Sequence, residues 1–270
     1  MTFTFKTVPH IIFETGAVAR LGEIVAGRMK RPIVVTDKFL LDAGLVAPAL
    51  KSLEAAGMSP FVYSDCASDP PAPVVRKAVA AAREAKADGI IGLGGGSPMD
   101  TAKVVAVLMN SGQTLEDIYG MDKVAGPRPP MVMIPTTAGT GSEVTNISVV
   151  TTEDDQKMGI LGDQLYADIA ILDASLTLGL PRETTAATGI DAMVHAIEAY
   201  TSKIKKNPVS DALAKEALRL LAGNIVKACT KPDDLSAREA MLLGAMLAGQ
   251  AFSNAPVAAV HAMAYPIGAL

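Results

Sequence analysis

Asp191 and His195 stand four residues apart in Gly189-Ile190-Asp191-Ala192-Met193-Val194-His195-Ala196, a spacing that puts both side chains on one face of a helix. Their neighbours are Ala, Met, Val and Ile, so that face is largely apolar. A lone carboxylate there is costly unless a metal ion or a histidinium offsets its charge. His261 lies in a similar apolar run, Ala255-Pro256-Val257-Ala258-Ala259-Val260-His261-Ala262-Met263. One carboxylate with two imidazoles suits a divalent first-row metal, and Fe(II) and Zn(II) both fit this ligand chemistry. The bland alternative for the pair alone is an Asp–His ion pair or a satisfied core histidine. Of the three histidines in the chain, the remaining one, His10, is read as structural or solvent-exposed.

Two other segments have the make-up of phosphate loops. Gly94-Gly95-Gly96-Ser97-Pro98-Met99-Asp100 follows an apolar run and opens a helical pattern. Its glycines permit close backbone approach to a ligand. Ser97 is the expected N-cap, Pro98 the expected first helical residue, and Asp100 stands three residues after the cap. Free amides and the helix dipole at such a terminus suit a pyrophosphate. The segment is neither a Walker loop nor a GxGxxG fingerprint, so a ligand-free tight turn is the competing reading. The second segment, Pro135-Thr136-Thr137-Ala138-Gly139-Thr140-Gly141-Ser142-Glu143, is dense in hydroxyls and small residues and also follows an apolar run. Asp37 lies just past a third such run, where a carboxylate accepts from ribose hydroxyls and repels a 2′-phosphate, favouring NAD over NADP.

The elements that must position these residues divide the chain in two. Strands are predicted at 33–36, 61–63, 89–93 and 131–134, alternating with helices at 46–56, 74–86 and 98–109. Continuous apolar strands separated by amphipathic helices indicate a parallel sheet covered on both faces. Residues 120–130 are read as a Gly/Pro-rich loop. From Pro181 onward the pattern is helical, at 183–201, 208–229, 235–252 and near 256–267. The expected domains are therefore 1–180, α/β and nucleotide-binding, and 181–270, all-α and metal-binding.

Bulk properties narrow the classes. Half of the 270 residues are hydrophobic, so a sizeable core is available; tryptophan is absent, and that core must be chiefly aliphatic. A net charge of −4 argues against nucleic acid as a partner. Cys66 and Cys229, the two cysteines, lack metal-ligand spacing and are expected to be reduced and buried. Residues 1–10 show no secretory pattern, and the longest apolar stretch, 240–252, is too short to span a membrane. A soluble cytoplasmic protein is expected. The apolar ending Pro266-Ile267-Gly268-Ala269-Leu270, directly behind a ligand-type histidine, reads as a cut.

Taken in order, these strings resemble the iron-containing (group III) alcohol dehydrogenase family along essentially the whole chain. The resemblance is carried by Gly94-Gly95-Gly96-Ser97-Pro98-Met99-Asp100-Thr101-Ala102-Lys103 and the Thr/Gly-rich run 135–145. It continues through Thr185-Ala186-Ala187-Thr188-Gly189-Ile190-Asp191, His195-Ala196-Ile197-Glu198-Ala199-Tyr200 and Ala251-Phe252-Ser253-Asn254-Ala255, ending at His261-Ala262-Met263-Ala264. It implies a Rossmann-like N-terminal domain, an all-helical C-terminal domain of dehydroquinate synthase-like architecture, and an active site in the cleft between them. It implies NAD at Asp37, Gly94, Gly95, Gly96, Ser97, Asp100, Thr136, Thr137, Thr140 and Ser142, with Lys157 as a cofactor-contacting lysine. Asp69 occupies the place of a nucleotide-contacting Asn, and Leu176 is implied on the nicotinamide side. Asp191, His195 and His261 are implied as metal ligands; a fourth family ligand, a histidine a short way past the third, would lie beyond Leu270. Tyr265 stands where some members carry a histidine suspected of relaying protons.

The function this implies is metal-dependent, NAD-linked interconversion of a small alcohol and its aldehyde or ketone, in a homodimer. The alternating Phe3/Phe5 segment is the candidate dimer edge strand. Two other readings compete: a non-catalytic nucleotide-binding fragment lacking the full metal site, and a zinc-dependent polyol dehydrogenase of the same fold.

Overall fold

The computed structural model describes residues 2–256 and 259–267, the side chains of 265–267 excepted. Its strands are β1 (Ile11–Phe13), β2 (Pro32–Val35), β3 (Phe61–Tyr63), β4 (Gly89–Gly94), β5 (Gly120–Met121), β6 (Met131–Pro135), β7 (Ile147–Thr151), β8 (Lys157–Leu161) and β9 (Ile169–Leu172). Its helices are α1 (Leu21–Ile24), α2 (Lys38–Asp42), α3 (Ala47–Ala55), α4 (Ala72–Glu84), α5 (Gly96–Leu108), α6 (Leu115–Ile118), α7 (Arg182–Thr201), α8 (Pro208–Thr230), α9 (Leu235–Asn254) and α10 (Ala259–Ile267).

Six strands form one parallel sheet in the order β1-β9-β6-β4-β2-β3. Alternate residues of each central strand enter opposite cores. Ile33, Val35, Ile90, Met131, Met133, Ala170 and Leu172 face one core, and Val34, Ile91, Leu93, Val132, Ile134, Ile169 and Ile171 face the other. Burial on both faces is why these strands read as unbroken apolar runs rather than alternating ones. The chain steps from β2 outward to β3 and then crosses back to β4 on the other side of β2. The carboxyl ends of β2 and β4 therefore flank a topological switch point, where ligands bind in open α/β sheets.

A second sheet, β5-β8-β7, pairs β7 antiparallel with β8 and β5 parallel with β8. It corrects the expected loop at 120–130, which begins with β5. β5 has only two residues and β7 mixes Ser and Thr with Val, so no apolar run announces either.

The second half is helical as expected. α8 begins with Pro208 after Asn207, whose side chain accepts from Ser210 N at 2.8 Å. α9 is capped by Asp234, which accepts from Ala237 N at 2.9 Å. Small residues let these helices close: a Cβ on Gly189 would meet Met241 Cε at 2.7 Å, and one on Gly244 would meet Leu221 Cγ at 2.8 Å. Buried Arg238 of α9 donates to Thr185 Oγ1 of α7 at 2.8 Å and to Pro232 O at 3.0 Å. No helix of the described residues is long and apolar enough to cross a membrane. Both cysteines are free, and each is half-buried rather than buried, Cys229 lying near the surface end of α8.

Glycines also join the two halves. A Cβ on Gly141 would lie 2.6 Å from Gly249 Cα in α9, and one on Gly139 would lie 2.7 Å from Thr188 Cβ in α7. Gly141 has φ +62°, a conformation that disfavours other residues. The loop after β6 is thus wedged against both helices.

Candidate metal centre and nucleotide-binding edge

Parallel strands deliver their carboxyl ends to one edge, and three of the predicted segments meet there. Asp37 follows β2 and is the N-cap of α2, its Oδ1 accepting from Leu40 N at 2.9 Å. β4 ends at Gly94, and Gly95, not Ser97, is the N-cap of α5. Ser97 and Pro98 are consequently the second and third helical residues. A proline is tolerated there because first-turn amides have no intrahelical acceptor. The earlier start follows from packing: a Cβ on Gly94 would meet Pro98 Cγ at 2.7 Å, and one on Gly96 would meet Thr140 Cγ2 at 2.8 Å. Only glycines let the turn fold this tightly against the second loop. Nothing within 3.5 Å would meet a Cβ on Gly95, whose nearest neighbour is Thr137 Cγ2 at 3.6 Å.

Asp100 differs from expectation. It makes no capping box; Ser142 Oγ donates to its Oδ1 at 2.7 Å and Val149 N to its Oδ2 at 2.9 Å. Its two oxygens fasten the second loop and β7 to α5, and the Ser142 hydroxyl proton is spent on the same bond. Within that loop Thr140 Oγ1 accepts from Ser142 N at 3.2 Å, and Thr136 N donates to Gly94 O at 2.9 Å. Thr136 is buried, while Thr137 and Thr140 remain half-buried along the edge. One turn along α5, Lys103 is fully buried and donates to Ile147 O at 2.8 Å and Thr145 Oγ1 at 3.2 Å. Burial pulls its pKa down to about 8 against the attraction of Asp100 and Glu143. Burial likewise pushes Glu143 up to about 7 and raises Asp100. Sequence reasoning gave Lys103 and Glu143 no role.

Lys157, on β8, donates to Asp69 Oδ1 at 2.7 Å, so these two predicted cofactor residues come together as an ion pair at the rim. Asp69 sits at φ +48°. Leu176 is buried in the core cluster that contains Leu93, Ile134 and Ile171, with 4% of its surface exposed.

The metal residues converge from two helices. Asp191 and His195 share a face of α7, with His195 Nδ1 3.9 Å from Asp191 Oδ2. α10 brings His261 Nε2 to 3.6 Å from Asp191 Oδ1. One ligand atom from each of the three lies within 4.8 Å of the others. Bonds of roughly 2.0–2.2 Å to a shared ion place ligand atoms about 3–4 Å apart, close to this spacing. His195 Nδ1 is buried and has no hydrogen-bond partner among the described residues. A buried, unpaired ring nitrogen facing a carboxylate is a donor set that a cation satisfies, so the residues fit a divalent metal. Burial would raise the Asp191 carboxyl, but the contact with His261 and the two imidazoles outweigh it and hold it low. Burial lowers His195, while Asp191 holds His261 up.

The His195 ring stacks on Phe252 of α9 at 4.4 Å and on His261 at 4.5 Å. Thr188, about one turn before Asp191 on α7, packs directly on Gly139, so α7 brings the metal residues up to the loop that follows β6. Buried Glu198, a further helical turn along α7, lies 2.5 Å from His261 Nδ1 through its Oε2. Sequence reasoning passed over it, although Asp191-x3-His195-x2-Glu198 keeps all three on one helix face. The Tyr265 position lies outside the described side chains.

Residues 9–174 match the family described as "Iron-containing alcohol dehydrogenase", and residues 185–270 match "Fe-containing alcohol dehydrogenase family, C-terminal". Long-chain-alcohol dehydrogenase 1 of Geobacillus thermodenitrificans (strain NG80-2) is 46% identical over 242 residues, which cover 88% of this chain and 61% of that relative. The chain thus spans less than two-thirds of that relative's length. A crystal structure of 1,3-propanediol oxidoreductase superposes with a TM-score of 0.96 at 37% identity, over 100% of this chain and 71% of that one. Sulfoacetaldehyde reductase from Bifidobacterium kashiwanohense, solved in complex with NAD+, gives a TM-score of 0.93 at 30% identity, over 99% of this chain and 70% of that one. Matched along both its sheet and its helices, the chain belongs to the iron-containing alcohol dehydrogenase family.

Proposed function

We propose that this chain carries the nucleotide and metal sites of an NAD-dependent dehydrogenase that interconverts a small alcohol and its aldehyde or ketone. Residues 1–180 are read as the nucleotide-binding domain and 181–270 as the metal-binding helical domain. The carrying observation is that Asp191, His195 and His261 present ligand atoms to one point beside α7, whose Thr188 packs against Gly139 of the loop after β6. When bound, a divalent metal, iron or zinc, supplies Lewis acidity at the alcohol oxygen, and NAD supplies the hydride acceptor.

The chain's own residues do the positioning. The amides of Gly96 and Ser97 at the start of α5 offer donors to the pyrophosphate. Asp37 accepts from the adenosine ribose and disfavours a 2′-phosphate. Thr137 and Thr140 line the edge, and Asp100, through Ser142, keeps that loop in place. Lys157 and Asp69 close the rim as an ion pair, and the edge of Leu176 backs the nicotinamide side. The ligand set is Asp191, His195 and His261, and Phe252 screens the His195 ring from water. The reading extends to a homodimer that uses the exposed Phe3 segment, which forms no strand within the single chain. Its two free cysteines suit a reducing compartment such as the cytoplasm.

The test is to load the metal-free chain anaerobically with Fe(II) or Zn(II) and follow NADH formation from short alcohols, diols and hydroxy acids. Metal-dependent NADH formation with at least one of these, abolished by chelation, is expected. NADH binding without turnover under any metal contradicts the reading for this chain.

A further inference from the structure

The two histidines of the centre are oriented by different means. His195 presents Nδ1 toward Asp191 and is held by stacking on Phe252 and His261. His261 presents the opposite nitrogen, Nε2, toward Asp191, and its Nδ1 lies 2.5 Å from Glu198 Oε2. The other Glu198 oxygen, Oε1, accepts from Val260 N at 2.7 Å. One carboxylate of α7 thus grips two consecutive residues of α10.

An ionised carboxylate only accepts, so the bond to Glu198 places the imidazole proton on Nδ1 and leaves the lone pair on Nε2. That is the tautomer a metal requires at the atom facing Asp191. Such a carboxylate behind a ligating histidine fixes the ring's angle and raises its basicity. Glu198 is 4% exposed, and burying a carboxylate there is costly unless its charge is answered.

We propose that Glu198 is a positioning residue of the metal centre, holding His261 through Nδ1 and the Val260 amide so that Nε2 stays turned toward Asp191 and His195. The proposal rests on the metal-centre reading above. A role confined to anchoring α10 would make Glu198 matter for stability but not for metal affinity.

The two are separated by titrating the metal-free chain with Co(II), reading the visible ligand-field band and the affinity against a competing chelator. Wild type, Glu198→Gln, Glu198→Ala and His195→Ala are compared, each also melted without metal and titrated with NADH. Glu198→Ala is expected to weaken Co(II) binding by roughly 10- to 100-fold and to change the band, with NADH affinity within about twofold. Glu198→Gln, which keeps the shape and one acceptor but loses the charge, is expected to fall between it and wild type. If Glu198→Ala does not fold, the weakened binding of Glu198→Gln carries the test. Co(II) affinities within about twofold of wild type in every folded Glu198 variant, even with a lowered melting temperature, overturn the proposal while leaving the metal centre standing. A wild type that binds Co(II) no better than His195→Ala overturns the metal centre and the proposal with it.

Discussion

The nucleotide edge and the metal face are built by opposite means. The edge is made of backbone: Gly96, Gly139 and Gly141 are small because another segment occupies the space where their Cβ atoms would stand, and Gly94 because Pro98 of its own turn does. Its chemistry comes from strand ends and a helix start, whose amides exist whatever the side chains are. The metal face is made of side chains, Asp191, His195 and His261, drawn from two helices and steadied by Phe252 and Glu198. A backbone site is damaged chiefly by bulk. A side-chain site is damaged by removing one donor, with little effect on the fold.

That contrast is testable, beginning where the effect is largest. His195→Ala is expected to lower metal-dependent turnover by about a thousandfold or more while NADH affinity stays within about twofold, since one ligand is lost and the edge is untouched. Steady-state kinetics alongside NADH fluorescence titration checks this, and equal losses in both would merge the two regions. Gly141→Val is expected to do the reverse. It puts a branched side chain at φ +62°, 2.6 Å from Gly249 Cα, and should cost on the order of 3 kcal/mol or more in urea unfolding. Unchanged stability would mean the loop and α9 part without penalty.

A pH experiment addresses the buried groups under the edge. Burial raises Glu143 from 4.5 to about 7. Between those values the folded chain keeps a proton that the unfolded chain releases, so Glu143's contribution to stability falls as pH rises from about 4.5 to 7 and is flat above. Relative to Glu143→Gln, the wild type should lose roughly 3 kcal/mol across that window. Parallel stability curves would show that Glu143 ionises freely. The smallest expected effect is at Asp37: Asp37→Gly should narrow the NADH/NADPH affinity ratio by about tenfold, and an unmoved ratio would remove Asp37 as the ribose acceptor.

The two regions also differed in how far they could be read in advance. β2, β4 and β6 and every long helix were legible because burial on both faces gives apolar runs and helical faces repeat, and the edge strand β3 was legible from its short run of aromatic and β-branched residues. The glycine loops were legible by composition, but the helix start was not. Ser97 looks like a cap in isolation, and only the clash that Thr140 imposes at Gly96 shows why Gly95 takes that place. Asp100 likewise looks like part of a cap until β7 supplies Val149 N. β8 was legible as a strand-like run at 156–160, whereas β7 was harder, because its pairing is nonlocal and its Ser and Thr residues dilute the apolar signal. At the metal face Asp191 and His195 could be paired by spacing, and His261 was joined to them by its similar apolar run and then by the resemblance. Glu198 was missed because a glutamate in a helix is ordinarily a surface residue, and nothing local marks it as buried against α10.

The account stands on the metal face and the nucleotide edge meeting at one place. The most direct measurement is paramagnetic relaxation of bound NAD by Co(II) in this chain, followed at the nicotinamide C4 proton and the adenine protons. Stronger relaxation at C4 than at adenine, lost in His195→Ala, is the predicted result. Equal relaxation at both ends, or no difference between wild type and His195→Ala, would contradict it.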